Sequence, residues 1–231
     1  MVKKTQCLHI ILFLLAISNA WAANPSPSHL FGYQEIKKQD LSLFPQWLSV
    51  LERHLLNIEE SGSCQSATFN PCHLREWQAF LSSIKNKPVS QQIKSVNRYA
   101  NAKEYTLDIE NYGLVDYWAT PKEFLINNGD CEDYAIIKML SMKWLGYDVS
   151  SMRVVIVQDT NLRIPHAVMA IEDDQDILIL DTQIEEVISH ADIFHYVPVY
   201  SVNEKNWWMH IPNSVSYTHL RAHETERTIA Y

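Results

Sequence analysis

The hydrophobic period of this chain changes once, near Arg153, and that change limits the folds open to it. Before it, apolar residues recur at three and four: Phe44, Trp47, Leu48, Leu51 and Leu55, with Pro45 in the first turn; then Leu74, Trp77, Leu81 and Ile84; then Val89, Ile93, Val96 and Ala100 after Pro88. Each set marks one stripe of an amphipathic helix, and the tryptophans in them read as core packing. After it, the apolar runs are short and extended, at Val154–Val157, Ala167–Ile171, Ile177–Asp181 and Tyr196–Tyr200. Helices first and strands afterwards predict an α+β fold with an antiparallel sheet packed on a helix. Apolar residues on both strand faces require that both be covered. No internal repeat is found.

The two ends follow other rules. Met1-Val2-Lys3-Lys4, an apolar run from Cys7 to Ile17 and the Ala20-Trp21-Ala22 segment form a secretory signal over residues 1–22, cleaved after Ala22. No later run is long and apolar enough to span a bilayer, so the exported chain is expected not to be membrane-embedded. Cleavage leaves 17 basic against 27 acidic residues and three cysteines. That excess of acid, without a basic cluster, argues against nucleic acid as a partner. In an oxidising compartment three cysteines imply one bridge and one remaining thiol. Cys64 and Cys72 flank a short loop whose closure is worth about 2–3 kcal/mol, which leaves Cys131. Residues 23–40 are expected to be a poorly ordered lead, with the domain over 41–214. Residues 215–231 have neither period. They read as translated sequencing adapter, a non-native tail, so His219 and His223 are not taken as a zinc site.

Chemistry concentrates around Cys131. Thr120-Pro121-Lys122-Glu123 is a capping box that opens a short helix ending before Asn127-Asn128-Gly129, and a new helix opens at Asp130 and runs through Tyr134, Ile137, Lys138, Leu140 and Leu145 to a C-cap at Gly146. Cys131 therefore sits in the first turn, where free N–H groups and the helix dipole favour a thiolate and hold an oxyanion. A base and its orienter come from the hairpin. Pairing Ile171 with Asp176 across a four-residue loop places His166 opposite Asp181 on one face, close enough for a carboxylate to fix the imidazole tautomer. Cys131, His166 and Asp181 are the expected catalytic triad. Asp130, Glu132 and Asp133 crowd the thiol with negative charge, which opposes its ionisation. They are either ordinary partners of the helix dipole or oxygen ligands for Ca²⁺.

The blocks Asp116-Tyr117-Trp118-Ala119-Thr120-Pro121-Lys122-Glu123-Phe124-Leu125 and Gly129-Asp130-Cys131-Glu132-Asp133-Tyr134-Ala135-Ile136, with Lys138, Leu145-Gly146-Tyr147 and Pro198-Val199-Tyr200-Ser201, resemble the bacterial transglutaminase-like cysteine proteinases. The resemblance runs from about Leu41 to Trp208. It implies a papain/transglutaminase-like fold and a periplasmic cysteine endopeptidase with Cys131, His166 and Asp181 as nucleophile, base and orienter. It also implies Ca²⁺ bound through Asp130 and Glu132. Relatives of this kind cleave the N-terminal region of a large repeat-containing surface adhesin, which promotes biofilm dispersal. A LapD-type inner-membrane receptor sequesters them when cyclic di-GMP is high. Two positions depart from the family pattern: Pro165-His166-Ala167 stands where Ala-His-Met is usual, and Asp181-Thr182 where Asp-Asn is usual. The residues themselves leave open a transglutaminase or amidase that passes the acyl group to an amine, and a catalytically silent periplasmic binding module.

Overall fold

The computed structural model describes residues 29–59, 72–173 and 176–213. Among these residues six α-helices, α1 (Pro45–Glu59), α2 (Cys72–Ile84), α3 (Val89–Asn101), α4 (Asp108–Asn111), α5 (Pro121–Asn127) and α6 (Cys131–Trp144), are flanked by strands β1 (Tyr33–Lys38), β2 (Met152–Asp159), β3 (Ile164–Asp173), β4 (Asp176–Leu180), β5 (Ile188–Ser189), β6 (Tyr196–Val202) and β7 (Trp207–Pro212). The strands form one sheet in the order β1-β7-β6-β2-β3-β4-β5, with every neighbouring pair antiparallel.

Strand alternation sorts the apolar side chains into two layers. Val154, Met169, Ile171 and Leu180 join the helical core around α6, whereas Val155, Val157, Val168, Ala170, Ile177 and Ile179 pack with Leu30, Ile193 and Tyr196 on the opposite face. The sheet is thus covered on both sides, as the strand composition requires. Helix α6 is buried continuously from Glu132 to Met142, so it is a central helix rather than an amphipathic one. Each fully buried Ile or Met along it contributes about 1.5–3 kcal/mol relative to exposure. Helix α6 is thereby a rigid mount for what it carries at its first turn.

Three expectations are corrected. The lead expected to be poorly ordered over 23–40 supplies β1, which pairs with β7 from Tyr33↔Pro212 to Lys38↔Trp207, while Leu30 is fully buried. The strand is held by a buried ion pair, Arg153 to Glu35 Oε1 at 2.9 Å, with His210 Nδ1 3.5 Å from the same oxygen and Ser201 Oγ 3.0 Å from His210 Nε2. Helix α1 buries Trp47, Val50 and His54, whereas Leu48 is 40% and Leu55 62% exposed. The helix is apolar on two sides, and polar contacts decide between them: the Trp47 indole donates to Asn203 O at 3.0 Å, and Arg53 reaches Tyr117 and Trp118 O. The β3–β4 ladder closes on Asp173↔Asp176, with Met169 opposite Leu180, two residues away from the predicted register. An even shift preserves strand alternation, so the faces stay as predicted although the partners change.

Among the described residues Cys131 is a free cysteine, and Cys72 is disulfide-bonded. Its expected partner Cys64 lies outside the described residues, as do the signal segment 1–22 and the tail 215–231. No helix among the described residues is long and apolar enough to cross a membrane.

Candidate active site

Local contacts set the start of α6 in place. Asp133 Oδ1 accepts the Ala119 N–H at 2.6 Å and its Oδ2 accepts the Asp130 N–H at 3.3 Å, so one carboxylate joins the helix start to the segment that leads into α5. The capping box at Thr120 and Glu123 forms as expected, and Arg53 of α1 pairs with Glu123. Gly129 precedes the helix and bridges to Tyr105, with Thr106 N–H donating to Gly129 O at 2.9 Å. A Cβ at Gly129 would lie 2.8 Å from Asp133 Cβ and 2.9 Å from its Cγ. Only glycine lets the chain pass so close to that carboxylate.

Cys131 is half-buried at the first position of α6. Its sulfur lies near the Ala167 backbone amide, one residue beyond His166 on β3, and 3.2 Å from Glu132 Oε2. His166 Nε2 is 2.7 Å from Asp181 Oδ1, with both side chains buried. The two are diagonal rather than directly opposed, because Asp181 follows β4 and falls across from Val168 in the observed register. Asp181 Oδ1 also accepts the Gln183 N–H at 2.9 Å, and its backbone carbonyl accepts Asn101 Nδ2 at 2.8 Å and Lys138 Nζ at 3.0 Å. Burial works against the Asp181 charge, but the hydrogen bonds to His166, Tyr196 and Gln183 overcome it and hold the carboxyl below its ordinary range. An ionised carboxylate is acceptor-only, so Nε2 carries a proton and donates it to Asp181, which leaves Nδ1 as the ring nitrogen open to a second partner.

The acidic residues converge more densely than their local spacing conveys. Asp130 with Cys131 and Glu132, Asp108 with Asp116 and Glu132, and Asp108 with Asp130 and Asp133 each bring ligand atoms within 4.8 Å of one another. Burial, then a hydrogen bond and the charge of Asp130, pushes Glu132 well above the carboxylate range; burial, with a smaller push from Asp130 and Asp116, takes Asp108 up to about 6; and burial raises Asp133 well above the carboxylate range. The same burial, with Glu132 and Asp130 next in weight, raises the Cys131 thiol. Asp108 Oδ1 and Asp130 Oδ1 are buried with no hydrogen-bond partner among the described residues. Hard oxygen donors, orphaned acceptors and carboxyl groups whose ionisation is opposed by burial and by one another together fit a divalent cation such as Ca²⁺.

Sequence spacing located Asp130, Glu132 and Asp133 but not Asp108 and Asp116, which arrive from the segment before α5. Asp116 was visible only as part of the Asp-Tyr-Trp block, and Asp108 carried no local signature. Tyr196, which bonds Asp181 Oδ2, was read only as a strand residue.

The site, then, is a thiol at a helix start beside a buried His–Asp pair and an acidic cluster, on an α+β frame. Residues 62–216 match the bacterial transglutaminase-like cysteine proteinases, and the chain belongs to that family. It is a cysteine peptidase with the papain/transglutaminase-like fold that the family resemblance implies. The structure is similar to that of Legionella pneumophila LapG, at 28% identity and a TM-score of 0.55, over 69% of this chain and 87% of that one. Calcium-bound LapG matches with the same values. EGTA-treated LapG matches at 28% identity and a TM-score of 0.55, over 69% of this chain and 84% of that one. No curated protein matches the chain.

Proposed function

We propose that the protein is a calcium-dependent endopeptidase that works in the periplasm through Cys131, His166 and Asp181. The observation that carries this reading is the buried 2.7 Å contact between His166 Nε2 and Asp181 Oδ1, with the sulfur of Cys131, at a helix start, on the backbone amide of Ala167, the residue after His166. With Nε2–H committed to Asp181, His166 Nδ1 takes the Cys131 thiol proton and the sulfur attacks the scissile carbonyl carbon. Backbone N–H groups of the first turn of α6 receive the charge on the carbonyl oxygen. The C–N bond then breaks, His166 returns the proton to the leaving amine, and water hydrolyses the thioester with His166 again as base. Asp181 keeps the imidazole oriented and stabilises its charged form.

Asp130 and Glu132 would hold Ca²⁺, and Asp108 is placed to join them. The ion would supply positive charge that offsets the carboxylates around Cys131 and so lowers the cost of its thiolate. Calcium-bound and EGTA-treated forms of LapG support this assignment.

The substrate in this reading is the N-terminal region of a large repeat-containing surface adhesin, whose release promotes biofilm dispersal. Sequestration on a LapD-type inner-membrane receptor that senses cyclic di-GMP controls the activity. Membership of the family and likeness to LapG support this reading. The test incubates the protein with the N-terminal segment of a co-encoded adhesin, with Ca²⁺ or with excess EGTA, and scores fragments by mass. Cleavage by the parent in Ca²⁺, and none with Cys131→Ala or in EGTA, is expected. Undiminished cleavage by Cys131→Ala would overturn the assignment of the nucleophile, and full activity in EGTA would remove the metal from it. An added amine captured at the cut end would show transfer instead of hydrolysis.

A further inference from the structure

Tyr196 takes no part in the steps above, yet it is 2% exposed and its hydroxyl donates to Asp181 Oδ2 at 2.6 Å. We infer that Tyr196 is a positioning residue of the reaction: its hydrogen bond locks the Asp181 carboxylate in the orientation that presents Oδ1 to His166 Nε2. The inference rests on the catalytic reading of Cys131, His166 and Asp181.

The argument is one of rotation. A carboxylate turns about the bond to its carbon with a broad, roughly two-fold preference, so contacts at one oxygen leave it free to rock. Asp181 Oδ1 accepts from His166 and from the Gln183 N–H, both on one oxygen. Tyr196 holds the other, and the three donors together fix the plane. Tyr196 comes from β6, which does not pair with β4 in the sheet, so this is a contact between separated strands. Its direction is unambiguous, because burial and the Asp181 charge both push the phenol up and keep it protonated. The ring is held independently of the hydroxyl, edge-on to Phe31 at 5.8 Å and tilted on His166 at 5.7 Å. Tyr196→Phe therefore removes one hydrogen bond while keeping the packing.

A loosened carboxylate makes His166 a poorer partner for the Cys131 thiolate without touching substrate. For Tyr196→Phe, kcat falls about tenfold, as for the loss of one hydrogen bond to a charged group, while KM stays within about twofold. A probe independent of substrate is alkylation of Cys131 by iodoacetamide, followed by mass spectrometry of the Cys131 peptide across pH in the calcium-loaded protein. The parent should alkylate fastest, because His166 takes the thiol proton, and His166→Ala should react much more slowly at the same pH. Tyr196→Phe should react about tenfold more slowly than the parent at neutral pH. The proton NMR resonance of the His166 Nε2–H, absent from His166→Ala, should broaden or move upfield in Tyr196→Phe. Parental alkylation, kcat and proton resonance in Tyr196→Phe, with His166→Ala impaired, would overturn the role of Tyr196 alone. A parental alkylation profile in His166→Ala would overturn the catalytic reading beneath it.

Discussion

Lys138 tests how the core beneath the site is charged. Its ammonium is 1% exposed on α6, donates to the Asp181 backbone carbonyl at 3.0 Å and lies 5.7 Å from the Tyr134 ring centroid. It forms no ion pair among the described residues. Burial lowers its pKa from 10.5 to about 7, against a smaller opposing pull from the Asp181 charge. Between those values the native lysine is neutral while the unfolded one is charged, so the unfolded state binds more protons and stability rises with pH. At about 1.4 kcal/mol per pKa unit, the whole displacement is worth at most about 5 kcal/mol. Lys138→Met keeps the volume and removes the titration, and Asn101 Nδ2 still satisfies the Asp181 carbonyl at 2.8 Å. Urea unfolding of both proteins at fixed calcium should show the parent gaining about 2–3 kcal/mol on the variant between about pH 7.5 and pH 9.5. The acidic cluster titrates in both proteins and cancels in the comparison. A difference that does not change with pH would mean that Lys138 keeps its charge throughout, and the account of its burial would be refuted.

Gly129→Ala should displace Asp133 from its bonds to Ala119 and Asp130, lowering stability by about 1–3 kcal/mol and peptidase activity with it; a thermal scan and turnover with the same substrate check both. Glu35→Ala should cost about 3–5 kcal/mol by leaving Arg153 buried without its counter-charge, whereas Glu35→Leu combined with Arg153→Met should recover most of that loss in denaturant unfolding. Equal losses for the single and double variants would show that packing, not charge, holds β1.

What the sequence disclosed follows the range of the forces involved. Helix α6 and its thiol were legible because caps are local: Asp130 before the first turn and Gly146 beyond the last can be read without knowing what surrounds them. The His166–Asp181 contact survived an incorrect register because the shift was even and strand alternation tolerates that. Strand β1 was not legible, since Tyr33-Gln34-Glu35-Ile36-Lys37-Lys38 reads as solvated chain until Arg153 on β2 supplies a partner for Glu35. For the same reason Asp108 and Tyr196 were invisible as site residues: each is placed by segments far from Cys131 in sequence. The exposed side of α1 was misread because its apolar residues satisfy two stripes, and only the indole of Trp47 and the guanidinium of Arg53 choose between them.

The pairing of β1 with β7 joins nearly the first and last described residues, so the sheet's outer edge forms only after almost all the intervening chain has been made. Such a closure is entropically late. A chain that leaves its ribosome gradually would stay loosely organised at that border until β7 emerges.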